Sequence, residues 1–153
     1  MGNRIVGQVI GLAVRTGVGA AMRELDSVDV AAEGGVEGDV PAPTHRGITF
    51  LSSRQWQEVV EELGVDYPWH TRRANVLVEC DRLGHLIDQT ITVGDVVVQI
   101  TGETDPCSVM EAIHPRLKQA LTPDMRGGVY GRVLQGGSIS IGATITISDP
   151  SSE

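Results

Sequence analysis

Hydrophobic and polar positions divide the chain into short segments with different periods. Residues 4–14 are rich in valine, isoleucine and leucine and predict a strand. Residues 48–51 and 74–78 predict two more. Between them Trp56, Val59, Val60 and Leu63 recur at i, i+3, i+4 and i+7, which builds one apolar helix face. Ser52 and Gln55 have capping-box spacing at its start, and Gly64 stands where a left-handed C-cap belongs. Glu58, Glu61 and Glu62 fall off that face and read as solvated surface. Residues 86–91 and 93–100 predict a strand pair broken at Gly94-Asp95, and the run Val96-Val97-Val98 predicts burial on both faces. Residues 108–121 predict helix, with Ser108 and Glu111 as a second capping pair and Pro115 forcing a kink or two short turns. Ile139, Ile141, Ala143, Ile145 and Ile147 occupy every odd position and predict one half-buried strand. Residues 28–40 carry Gly34-Gly35 and Gly38-Asp39, with Pro41 just after, and predict a loop.

Strand runs at even spacing, joined by turns that draw on 19 glycines, predict a mainly β fold: a small closed or half-closed β-barrel with two or three short helices. A length of 153 residues predicts a single domain over 1–153. The alternation of strand and helix needed for a doubly wound nucleotide-binding fold is missing, as are G-x-G-x-x-G and the P-loop. Composition narrows the partners. A formal charge of −8 and 3% aromatic residues argue against nucleic acid and against anionic membrane surfaces. No run of about 18 apolar residues is present to span a membrane, and the start is too weakly apolar for a signal peptide, so the expected compartment is cytoplasmic. Of the 12 basic residues only Lys118 is a lysine, which favours bidentate anion recognition over lysine chemistry.

Four segments could carry chemistry. Cys107 follows Pro106 and precedes Ser108, so its thiol would feel the start of a helix, which favours the thiolate; the plain alternative is a small buried hydrophobe. Cys80 lies between Glu79 and Asp81, which disfavour its thiolate, and reads as packing. Thr71-Arg72-Arg73-Ala74-Asn75 enters a strand; in extended backbone Arg73 and Asn75 would share one face and Arg72 the other, offering an anion anchor and a reader of a ring edge. Met125-Arg126-Gly127-Gly128-Val129-Tyr130-Gly131-Arg132 allows close backbone approach to a ligand, and Arg126 and Arg132 could meet across a turn; an ordinary hairpin connection is the alternative. Gly38-Asp39 reads as turn chemistry. His45, His70, His85 and His114 lack zinc-site spacing, and no G-x-S-x-G supports a hydrolase triad.

In this order the pieces resemble the MOSC family, the C-terminal domain of molybdenum-cofactor sulfurases and its small stand-alone relatives. The matching features are Gly38-Asp39, Thr71 to Asn75, Ile91 to Val98, Thr101-Gly102-Glu103-Thr104-Asp105-Pro106-Cys107, Arg126-Gly127-Gly128, and Gly137 with Ile141-Gly142. The resemblance implies a barrel that binds molybdenum cofactor (molybdopterin), with Cys107 as the catalytic thiolate and metal ligand. It implies cofactor-binding roles for Arg72, Arg73, Asn75, Thr101, Gly102, Arg126, Gly127, Gly128 and Arg132. Two activities follow from it: reduction of N-oxygenated compounds with electrons from a separate protein, or non-enzymatic carriage of the cofactor or of persulfide sulfur on Cys107, supplied by a separate donor. A ligand or interaction module that keeps only the scaffold is the third reading. The sequence departs from the family pattern after Gly38-Asp39, where Val40 and Pro41 replace the frequent histidine. The pyridoxal-phosphate domain of the fused sulfurases is absent from the sequence, and Lys118 on a predicted helix is a poor Schiff-base site, so no pyridoxal phosphate is expected on this chain.

Overall fold

The computed structural model describes residues 3–17, 20–105 and 108–148. Among the described residues, ten strands alternate with three α-helices and four 3-10 turns. Strands β1 (Asn3–Arg15), β4 (Ile48–Ser52), β5 (Val76–Glu79), β6 (Thr90–Val93), β7 (Val96–Glu103), β8 (Val129–Gln135) and β10 (Thr144–Ser148) close into a barrel in the order β10-β6-β7-β8-β4-β5-β1, with β1 returning to β10. All pairs are antiparallel except β4 with β5. Strand β2 (Met22–Glu24) extends the sheet beyond the end of β1, and β3 (Ser27–Val30) pairs with β9 (Gly137–Ser140) as a separate ribbon. The barrel predicted by the even strand spacing is therefore present and closed.

Closure is possible because β1 serves two neighbours on one side. Its first half pairs with β10 and its second half with β2, while β5 runs along its other edge. Register shifts at Ile5/Gly7 and Val9/Gly11 bend it enough to do so, as bulges bend the strands of other barrels. A side chain at Gly7 would collide with the carbonyl of Glu79, which explains the glycine at that bend.

Two apolar layers result from strand alternation. Ile48 and Phe50 of β4 and Val76 and Val78 of β5 point into the barrel with Val9, Leu12, Val98 and Ile100. Leu51 and Leu77 point outward, under Trp56, Val59 and Leu63 of α1 (Ser53–Leu63), Met110 of α2 (Ser108–Ile113), and Leu117 and Leu121 of α3 (Leu117–Leu121). The predicted break at Pro115 falls between α2 and α3.

Three expectations are corrected. The odd-numbered isoleucines do not lie in one strand: a turn at 141–142 separates β9 from β10 and leaves Ile141 45% exposed. Val97 is only half-buried, because β7 faces the core on one side and alternates normally. Residues 28–40 are not wholly loop, since Val28 and Val30 bury their side chains and pair β3 with β9. In each case pairing between distant segments sets the local pattern, which a linear window does not contain.

The start of α1 joins the two layers. Ser52 Oγ accepts from the Gln55 amide at 3.2 Å and donates to the Cys80 carbonyl at 2.6 Å, so one hydroxyl caps the helix and fixes it to the end of β5. The Gln55 side chain does not complete the capping box; its Nε2 donates to the Asp124 carbonyl at 2.7 Å. Ser52→Ala is expected to lower stability by about 1–2 kcal/mol, the usual cost of a lost N-cap, read as a fall in the urea midpoint at unchanged slope.

Candidate functional site

The barrel end at which β1 and β7 finish and β4 and β5 begin carries two adjoining cavities. One, of about 220 Å³, is lined by Arg15, Asp39, Arg46, Thr49, Arg73 and Asn75, with Met22 and the 40–43 segment on its rim. The other, of about 250 Å³, shares Arg15, Arg46, Thr49 and Arg73 and adds Arg72, Thr104, Gly127 and the apolar Val109 and Met110. Four shared residues make them one trough.

Asn75 organises it. Its side-chain oxygen accepts from the Thr49 amide at 3.1 Å and the Thr49 hydroxyl at 3.0 Å. Its amide nitrogen donates to the Ala13 carbonyl at 3.2 Å and to Asp39 Oδ2 at 3.0 Å. The network fixes the orientation of the carboxamide and uses two acceptor and two donor positions, its full ordinary capacity. Asn75 therefore joins β1, β4 and the Asp39 segment, and has no group left to read a ring edge. Asp39 Oδ1 in turn accepts from the Arg15 backbone amide at 2.8 Å.

The two adjacent arginines do different things. The expected alternation across a strand does not apply, because Trp69–Arg72 is a 3-10 turn and Arg73 is its left-handed cap, with φ of 67°. Arg72 is buried and donates Nε to the Gly127 carbonyl at 3.1 Å and Nη2 to the Thr104 carbonyl at 2.7 Å. It thus clasps the end of β7 to the 125–128 loop. A Cβ at Gly127 would lie 2.6 Å from the Thr104 oxygen and 3.1 Å from Arg72 Nη2, so the clasp needs glycine there. Arg73 is exposed and lines both cavities.

Arg15 and Arg46 also line both cavities. Nothing in their local sequence marks them: Arg15 simply ends a strand and Arg46 follows a Pro-rich stretch. Arg46 is placed by Tyr130, whose ring centroid lies 4.8 Å from its guanidinium carbon. Thr101 Oγ1 donates to the His45 carbonyl at 2.7 Å, which secures the turn carrying Arg46. A Cβ at Gly102 would sit 2.6 Å from the Tyr130 hydroxyl, so Gly102 gives Tyr130 its room. Thr101 and Gly102 do not line the trough; they hold Arg46 over it.

Arg126 and Arg132 are directed elsewhere and do not meet. Arg126 Nη1 donates to Glu62 at 3.0 Å and to the Ala120 carbonyl at 3.0 Å, fastening the loop to α1 and α3. Arg132 pairs with Glu33 on the far side of β8. Gly128, with φ of 94°, packs against the Phe50 carbonyl and serves the barrel wall. Cys107 lies outside the described residues. Among the described residues no ion pair involves Arg15, Arg46 or Arg73, and no cluster of three or more His, Cys, Asp or Glu could hold a metal ion. Thr104 Oγ1 is buried at the cavity wall without a hydrogen-bond partner. Glu103 has its carboxyl raised above the usual range by partial burial and by Asp105, against the pull of Arg72.

A closed seven-strand barrel with an arginine-lined trough at one end defines a small, mainly β domain. Residues 36–146 match the MOSC domain, and the chain belongs to that family, which is associated with the molybdenum cofactor. It is similar to the YuaD protein from Bacillus subtilis, with 20% identity over 92% of this chain and 94% of that one at a TM-score of 0.76. YiiM from Geobacillus stearothermophilus shares 20% identity over 97% and 76% of the two chains, with a TM-score of 0.71. YiiM from Escherichia coli shares 13% identity over 93% and 70%, with a TM-score of 0.73. At these identities the likeness is one of fold. No curated protein matches the chain. Among the described residues no helix is long and apolar enough to cross a membrane.

Cys80 sits far from the trough, half-buried beside Ser52, Asp81 and Arg82. Burial pushes its thiol up from 9.0 to about 11 and Asp81 adds to this, against hydrogen bonding from Ser52 and the Arg82 backbone. Since the folded value exceeds the ordinary one, the neutral thiol supports the fold below pH 9 and that support is lost as pH climbs toward 11. In a Cys107→Ser background, alkylation of Cys80 should be slow near neutral pH and rise about tenfold per pH unit toward pH 11; a rate that levels off by pH 8 would contradict this.

Proposed function

We propose that the trough binds the molybdenum cofactor and that the loaded protein reduces N-oxygenated compounds with electrons from a separate donor protein. The observation that carries the binding step is the convergence of Arg15, Arg46 and Arg73, without ion pairs among the described residues, on cavities that also contain an unpartnered Thr104 hydroxyl. Arg15, Arg46, Arg72 and Arg73 line the trough with Asp39 as the one carboxylate among its described lining residues, which leaves the site net positive for a small anion. The phosphate of the cofactor suits that cluster through paired N–H bonds. The cofactor supplies two-electron redox chemistry at its metal when bound.

The chain's own contributions are binding, orientation and a soft ligand. Arg15, Arg46 and Arg73 hold the phosphate-bearing end. Arg72 and Gly127 fix one wall of the trough, and Val109 and Met110 give it an apolar lining that limits water. Cys107 takes the position of the family's thiolate by motif, and a thiolate is the soft donor that such a metal favours. Thr101, Gly102 and Asn75 act at one remove, by placing Arg46 and Asp39.

Metal analysis of natively expressed protein is expected to find molybdenum, and chemically reduced protein to convert an amidoxime to the amidine. Arg73→Ala should weaken cofactor retention by about 1.5–3 kcal/mol, as for a hydrogen bond to a charged group, with little change in melting temperature because the side chain is exposed. Cys107→Ser should abolish reduction while the fold persists. In wild-type protein freed of cofactor, mild alkylation near neutral pH should label Cys107 well before Cys80. Protein that retains molybdenum but reduces no N-oxygenated compound would fit carriage instead of catalysis, and absence of molybdenum would refute the binding step.

A further inference from the structure

Barrel closure leaves a gap on the outer face of β1. The strand pairs with β10 up to Gln8 and with β2 from Ala13, so its middle lies between two neighbours. The register shift at Val9/Gly11 leaves Ile10 with no opposite residue on β5. As the extra residue of a bulge, Ile10 stays 41% exposed. Across the gap the Ile141 amide donates to the Asp26 carbonyl at 3.0 Å, and the Gly142 amide to the Val9 carbonyl at 2.8 Å. These bonds fix the turn between β9 and β10 with Ile141 beside Asp26. Ile10, Ile141 and Leu25 line a cavity of about 310 Å³ together with Glu24 and Asp26.

Two features set this groove apart from scattered surface isoleucines. Its apolar side chains are held outward by a bulge and by backbone hydrogen bonds, so the groove is preformed. Its charge is also of one sign. No lysine or arginine lines it, and among the described residues Asp26 has no ion pair. Glu24 accepts from the Trp69 indole at 3.0 Å and lies 4.0 Å from His70 Nε2, yet its side chain stays 61% exposed. A second copy of this chain is a poor occupant, because a two-fold contact would set acid rim against acid rim between chains of net charge −8.

We infer that the groove is a docking site for a protein partner that presents a branched apolar side chain next to lysine or arginine. The apolar side chain fills the space between Ile10 and Ile141, and the cation faces Asp26 and Glu24. Glu24 stands two residues from Met22, which lies on the rim of the trough, so the partner sits beside the barrel mouth without entering it.

Selection of random heptapeptides displayed on phage against the full chain tests this, with removal of those that also bind the Ile10→Ser/Ile141→Ser double variant. Both isoleucines are exposed, so the double variant is expected to melt with the wild type; should it not fold, Ile141→Ser alone replaces it. The enriched peptides should pair isoleucine, leucine or valine with an adjacent lysine or arginine. Synthesised, they should bind the wild type about tenfold more tightly than Ile141→Ser, the scale of one partly exposed isoleucine leaving water. Asp26→Asn should weaken them about threefold at low salt, and high salt should erase that difference. Arg73→Gln should leave their binding unchanged, which separates the groove from the trough. No enrichment, enriched peptides without a basic residue, or binding that Ile141→Ser does not weaken would overturn the inference. A dimer in sedimentation that Ile141→Ser dissolves would overturn it too, in favour of a second copy.

Discussion

The carboxamide of Asn75 is the point on which the candidate site depends. Four side-chain hydrogen bonds from one buried group tie the end of β1, the start of β4 and the Asp39 segment together at the barrel mouth. Buried polar groups of this kind are costly when any partner is missing and rigidifying when all are present. Here all are present. The carboxylate, and the strand end that carries Arg15, are fixed to the barrel wall by the residue that immediately precedes β5.

Positioning by indirect contact recurs around the mouth. Glycine at 102 makes space for Tyr130, Tyr130 lies under Arg46, and Thr101 secures the turn that carries it. Arg72, an apparent twin of Arg73, points inward and clasps backbone carbonyls, while Arg73 turns outward because its own backbone is left-handed. Arg46 is thus held over the trough by Thr101, Gly102 and Tyr130, which do not line it. Substitution at those supports would move a charge by small distances without deleting it.

Much of this was legible in the sequence, and the gaps have physical causes. Helix α1 carried its face, its Ser52 cap and its Gly64 stop in local spacing, and all three are in place. The barrel followed from strand lengths and glycine turns. Arg72, Arg73 and Asn75 were identified as a group, but their division of labour depends on the 3-10 turn before β5, which a strand-like reading of Thr71 to Asn75 hid. Arg15 and Arg46 have no motif; they matter only because β1 ends, and the turn over Tyr130 lies, beside a segment far along the chain. Arg126 and Arg132 looked like ligand cations from glycine context, while their acids, Glu62 and Glu33, sit 64 and 99 residues away. Side-chain partners at such separations are a property of topology and leave no trace in a local window.

The single parallel pair, β4 with β5, has a consequence of arithmetic. Strands that only reverse direction from neighbour to neighbour can close a ring only if their number is even. Seven strands close here, so at least one adjacent pair must run the same way. Parallel neighbours cannot be joined by a hairpin and require a connection that travels back along the whole sheet. Helix α1 is that return path. Shortening it to a tight loop would leave a chain that cannot complete this ring in any register. The outer helical layer is in this sense a condition of closure, and the barrel mouth lies where the two co-directional strands both begin.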